Sequence, residues 1–141
     1  MDREEIKTIL PHRDAMLLVD EAYLNEDGSS TAYYTVKGDE FFLQGHFPGY
    51  PVVPGVILCE MAAQSSCVIF RDEMNGKRPF YVGINNVKFR SQVRPGDRIE
   101  FRCSIMRVKK PFYFVKGEAY AGDSLCMQGE FSFALVDANQ E

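Results

Sequence analysis

Apolar residues along this chain keep two different rhythms. In "RIEFRCSIM" (98–106) they fall on every second position, so that Ile99, Phe101, Cys103 and Ile105 share one face. In "SLCMQGEFSFALV" (124–136) Leu125, Met127, Phe131, Phe133 and Leu135 do the same. Alternation with a single apolar face predicts antiparallel strands, covered on one side and partly wet on the other. "FYVGINNVKF" (80–89) and "FYFVKGEAY" (112–120) read as two further strands, the latter bounded by the breaks "KKP" and "AGD". Nearer the start, residues 15–27 read as a strand ending in the turn "EDGSS", and "TAYYTV" (31–36) as its hairpin partner. Residues 2–10 predict a short helix with Ile6, Ile9 and Leu10 on one side.

The other rhythm occupies residues 55–70. "GVILCEMAAQSSCVIF" contains no Pro, Lys or Arg and no turn cluster. Pro54 before it and Asp72, Asn75 and Gly76 after it punctuate a helix of about four turns. Its apolar residues go all the way round, the mark of a helix buried on every side or of a membrane span. The segment is shorter than the roughly 20 residues a span requires, so burial is the expectation. The pattern therefore predicts an α+β fold in which a long central helix is wrapped by an antiparallel sheet. No repeat or linker divides the 141 residues, and one domain over 1–141 is expected.

Composition narrows the function classes. A hydrophobic share of 45% with 11 Phe and 7 Tyr supplies a substantial core. A formal charge of −4 argues against a general nucleic-acid binder, which needs a basic surface. Cys59, Cys67, Cys103 and Cys126 show no CxxC spacing, and only two histidines accompany them; reduced, packed thiols and no metal site are expected. The opening "MDREEIKTILPHR" is charged and does not read as a secretory leader. A cytoplasmic location is the resulting expectation.

Candidate chemistry concentrates in "QGHFPGYPVVPGVILCEMAAQ" (44–64). Glu60 is the only carboxylate between Gly55 and Phe70. An apolar setting favours the protonated carboxyl, which prepares it to give up a proton near neutral pH. Gln64 follows one helical turn later, placed to orient that acid. His46 stands in a loop stiffened by Gly45, Pro48, Gly49 and Pro51, and histidine is the ordinary general base at physiological pH. Pro54-Gly55 opens the helix, where free N–H groups and the positive dipole end suit a carbonyl oxygen on which charge develops. Each feature has a plainer reading: a glutamate that snorkels or pairs with an arginine, a loop histidine satisfying local backbone, an ordinary helix start. Taken together they describe a base, an acid and an oxyanion donor, suited to proton abstraction alpha to a carbonyl with loss of a beta group.

"LPHR" (10–13), "LLVD" (17–20), "GHFPG" (45–49), "PVVPGVILCEMAAQ" (51–64), "VKFR" (87–90) and "VRPGD" (93–97) resemble, in order and spacing, the 3-hydroxyacyl-(acyl-carrier-protein) dehydratases of type II fatty-acid synthesis, FabZ subgroup. The resemblance runs from about residue 6 to 136. It implies the hot-dog fold, a homodimer that joins its sheets, and often a trimer of dimers. It also implies an active site at the dimer interface, where His46 of one subunit meets Glu60 of the other. His46 would take the C2 proton of a (3R)-3-hydroxyacyl thioester and Glu60 would protonate the departing hydroxyl. The Gly55 N–H would bind the thioester oxygen, the Val52 carbonyl would fix the His46 ring, and Gln64 would support Glu60. No cofactor is implied; the phosphopantetheine arm belongs to the acyl carrier protein. That carrier is acidic, so Lys88, Arg90, Arg94, Arg98, Arg107, Lys109 and Lys110 are candidates for its docking.

His12 of "LPHR" matches the family too, and a structural role is expected of it. Phe47, Tyr50, Phe80, Tyr81, Phe112 and Phe114 are expected mostly in the core. Two departures, Asp14-Ala15-Met16 after "LPHR" and "GINNVKF" (83–89), bear on chain length rather than on the reaction. Three alternatives stay in view. A dehydratase that also isomerises usually carries Asp where Glu60 stands; a hot-dog thioesterase typically lacks "GHFPG"; a non-catalytic carrier-binding subunit needs neither His46 nor Glu60. A polyketide or other specialised pathway would use the same chemistry.

Overall fold

The computed structural model describes residues 1–10, 12–44, 49 and 51–137. Six strands form one antiparallel sheet: β1 (Glu21–Leu24), β2 (Ser30–Thr35), β3 (Lys77–Phe89), β4 (Arg98–Lys109), β5 (Phe112–Ala121) and β6 (Ser124–Asp137). Their order across the sheet is β1-β2-β4-β5-β6-β3, so β3 forms one edge. Two α-helices precede or interrupt the strands, α1 (Arg3–Ile6) and α2 (Gly55–Ser66). The second packs across β2, β4, β5 and β6, with its last turn drawn out as a 3-10 helix, Cys67–Phe70. This is the hot-dog arrangement, a helix wrapped by a curved antiparallel sheet.

The packing follows from the two rhythms. Ile99 and Phe101 of β4, Tyr113 and Val115 of β5, and Phe131, Phe133 and Leu135 of β6 are all buried in one core, and Cys103 of β4 is buried as well. From α2 come Leu58, Cys59, Met61 and Ala62. The burial alternation of β4 holds as far as Cys103, and residues 104–110 beyond it are exposed throughout. Ile105, still in register with the buried Val115, is exposed there although the sequence pattern has it inward. All four cysteines are buried as free thiols. No helix is long and apolar enough to cross a membrane among the described residues.

Three segments differ from the sequence reading. The first helix spans Arg3–Ile6, held at its start by a capping box between Asp2 and Glu5, and only turns follow it. Pro11 disfavours helical backbone at the residue before it, so the helix does not reach residue 10. The strand read over 15–27 contracts to Glu21–Leu24. Leu17, Leu18 and Val19 are all buried, which a strand with one wet face does not allow. The backbone N–H of Leu18 instead donates to the side chain of Gln64, 46 residues away, at 2.9 Å. Third, Phe80, Tyr81 and Phe112 are exposed. Two of them lie on the edge strand and one opens β5 at the hairpin, where this chain has no layer to cover them. Phe47 and Tyr50 lie outside the described residues.

Candidate active site

The segment entering α2 is pinned before the helix begins: the Val53 N–H donates to the Val93 carbonyl at 2.8 Å. Pro54 follows as the N-cap in extended backbone, and its carbonyl accepts from the Ile57 N–H at 3.0 Å. Gly55 is thus the first helical residue, whose N–H has no carbonyl one turn behind it. A Cβ on Gly55 would meet the Phe89 ring at 2.7 Å. The ring lies directly over the helix start because β3 changes course just before it. Its register with β6 shifts between Asn85 and Lys88, and Asn86 adopts a left-handed φ of 53° there. The Asn86 amide donates to the Glu130 carboxylate at 2.9 Å, holding that turn against the sheet.

One turn further along α2, Glu60 opens into a cavity of about 100 Å³. His12, Ala63, Gln64, Cys67, Pro79, Tyr81 and Phe133 line it with Glu60. Gln64 is only 4% exposed. Its amide oxygen accepts from Leu18, which turns the NH2 toward the Met16 carbonyl at 2.9 Å and Glu60 Oε1 at 3.2 Å. His12 approaches the same carboxylate from the N-terminal segment, with Nε2 at 3.3 Å from Oε1. Tyr81 comes from β3 and donates its hydroxyl to the Cys59 carbonyl at 3.0 Å. Burial, and then the Glu60 charge, hold that phenol above the ordinary tyrosine range. The same two causes push the Cys59 thiol up to about 11. The cavity wall is therefore apolar apart from Glu60 and the groups that hold it.

Of the residues singled out in the sequence, Glu60 and Gln64 meet in one cavity, and Gly55 stands at the start of the same helix. His46 lies outside the described residues, and the role given to the buried Val52, which turns on that ring, lies outside them too. His12, expected to be structural, faces Glu60. Tyr81, expected in the core, lines the cavity with Pro79. Period-two spacing puts those two on one face of β3, and that is the signal by which the sequence could have found them. Among the basic candidates, Arg98 is paired with Glu21 at 3.2 Å and stacked on Tyr33, and Arg107 lies over the Phe114 ring. Lys88 and Arg90 are exposed on either side of Phe89. Among the described residues no three His, Cys, Asp or Glu side chains converge as a metal site.

A family model described as a FabA-like domain matches residues 10–130. The chain belongs to the FabA-like family. Among relatives of this FabA-like chain, the 3-hydroxyacyl-(acyl-carrier-protein) dehydratase FabZ of Clostridium kluyveri is 40% identical over 139 residues, covering 96% of each chain. The protein of the same name from Bacillus velezensis is 40% identical over 138 residues, covering 96% of this chain and 98% of its own. Among solved structures, the dehydratase heterocomplex ApeI:P from Xenorhabdus doucetiae superposes with a TM-score of 0.78 at 18% identity, covering 94% of this chain and 91% of that one. A thioesterase from Haemophilus influenzae superposes with a TM-score of 0.64 at 15% identity, covering 87% and 81%. At such identities the likeness carries the fold alone.

Proposed function

We propose that this chain dehydrates (3R)-3-hydroxyacyl thioesters carried on acyl carrier protein, giving the trans-2-enoyl thioester and water in fatty-acid synthesis. The observation that carries the reading is Glu60. It is the only ionisable carboxyl on a mostly apolar helix, held by Gln64 and opening into a small cavity. Its named relatives match this chain along nearly its whole length.

In this reading His46 removes the proton at C2. The electrons of that C–H bond form the C2–C3 double bond, the C3–O bond breaks, and the hydroxyl leaves with the Glu60 proton as water. The Gly55 N–H and the positive end of α2 stabilise the charge that develops on the thioester oxygen. Phe89, resting on Gly55, would have to give room to the thioester. Lys88 and Arg90 beside it are the basic residues best placed to receive an acidic carrier. The chain acts as a homodimer, with His46 reaching Glu60 of the other subunit. The edge strand β3 supports this: Phe80, Val82 and Ile84 are each at least half exposed along it, and an uncovered apolar edge invites a second copy.

Mass spectrometry of the products from a (3R)-3-hydroxyacyl carrier-protein thioester tests the reading. Loss of one water by the wild type, and its absence in Glu60→Gln, is expected. A shifted double bond would make the chain an isomerase as well. Free acid with free thiol would make it a thioesterase, and unchanged substrate would overturn the catalytic reading.

A further inference from the structure

Glu60 has its two oxygens in different situations, and Gln64 fixes which is which. Because Leu18 fills the Gln64 oxygen, the amide nitrogen alone faces the carboxyl, and an amide nitrogen only donates. Glu60 Oε1 is therefore an acceptor. His12 Nε2 lies 3.3 Å from that same Oε1. Catalytic hydrogen bonds are often long before substrate binds and tighten with it.

The other ring nitrogen, Nδ1, is buried and has no hydrogen-bond partner among the described residues. A proton on it would be a buried N–H with nothing to accept it. The ring hydrogen is thus assigned to Nε2, the nitrogen that lies 3.3 Å from Oε1. With two donors on Oε1, a carboxyl proton has no room there and sits on Oε2. Other titratable groups face Glu60 as well. Tyr81 of β3 gives its hydroxyl proton to the Cys59 carbonyl and also stands within hydrogen-bonding reach of the Glu60 carboxyl, and burial pushes the Cys59 and Cys67 thiols up, away from ionising.

We propose that His12 is a positioning residue for Glu60: with Gln64 it donates to Oε1 and so holds the transferable proton on Oε2. The inference rests on Glu60 being the acid of the dehydration proposed above.

Three substitutions separate this from a packing role. In His12→Gln the amide nitrogen reaches nearly the position of Nε2, in His12→Asn it falls short, and in His12→Phe the ring remains without a donor. We expect His12→Gln to keep kcat within about threefold of wild type, while the Asn and Phe variants lose about 10- to 100-fold in kcat with KM nearly unchanged. Equal kcat in all three, or a loss confined to KM, would overturn the proposal. Should the Phe variant melt below the assay temperature, the Gln–Asn comparison decides alone. Nitrogen NMR of histidine-labelled wild type, assigned with His46→Ala, should show His12 protonated on Nε2 and bare on Nδ1 at neutral pH; the reverse tautomer overturns it too. Glu60→Gln runs beside the series. If it turns over normally, the catalytic reading falls and this inference with it. If it is inactive while the His12 variants are alike, only the role of His12 falls.

Discussion

Gln64 uses its amide on three partners from two parts of the chain: the Leu18 N–H, the Met16 carbonyl and Glu60. Replacing it with leucine keeps the volume and strands the buried Leu18 N–H and the part-buried Met16 carbonyl. Gln64→Leu is expected to lower stability by about 2–5 kcal/mol, read as a lower denaturation midpoint, beyond its effect on turnover. Unchanged stability would show that water satisfies those groups instead. That Gln64 and Glu60 act on one another was legible in the sequence, because they stand one helical turn apart. That Leu18 and Met16 complete the arrangement was not. Those residues arrive from a segment whose apolar run resembles a strand, and only the fold shows that its N–H groups go elsewhere. His12 was hidden for the same reason: nothing in a linear pattern relates residue 12 to residue 60.

At the scale of elements, the helix was legible as a long apolar run without breakers, and the four later strands as alternating or β-forming runs bounded by turn signals. Where a period breaks, the sequence was silent. The register of β4 shifts just after Ile105, and the left-handed Asn86 turns β3 so that Phe89 covers Gly55. Contact between helix and sheet depends on a glycine as well. A Cβ on Gly117 of β5 would stand 3.2 Å from the Phe131 ring and 3.4 Å from Ala62 of α2. Gly117→Val inserts three carbons into that seam and is expected to cost about 1–3 kcal/mol, a lower urea midpoint at unchanged slope. A neutral result would mean that α2 rides more loosely on β5 than the packing implies. The cost would also move α2, and with it Glu60, so activity should fall in parallel.

The whole molecule raises the question of what β3 faces. It is the longest apolar stretch of uncovered sheet edge, and Tyr81, which reaches from it into the cavity, is itself 43% exposed. A second copy against this edge would cover the aromatics that sequence reasoning had placed in the core. Their apolarity was read correctly; in the proposed dimer what it packs against belongs to another subunit, which no pattern within one chain reveals. The same dimer brings His46 to Glu60 in the proposed mechanism, so the two claims stand together. Co-expression of His46→Ala and Glu60→Gln chains under different tags tests both, each variant being inactive alone. A site composed across the interface restores one intact pair in every mixed dimer. Random pairing then returns about a quarter of the wild-type dehydration rate, since half the dimers are mixed and each has one working site of two. Mixed dimers that form and remain without activity would show that His46 and Glu60 do not meet across subunits, and would contradict the account.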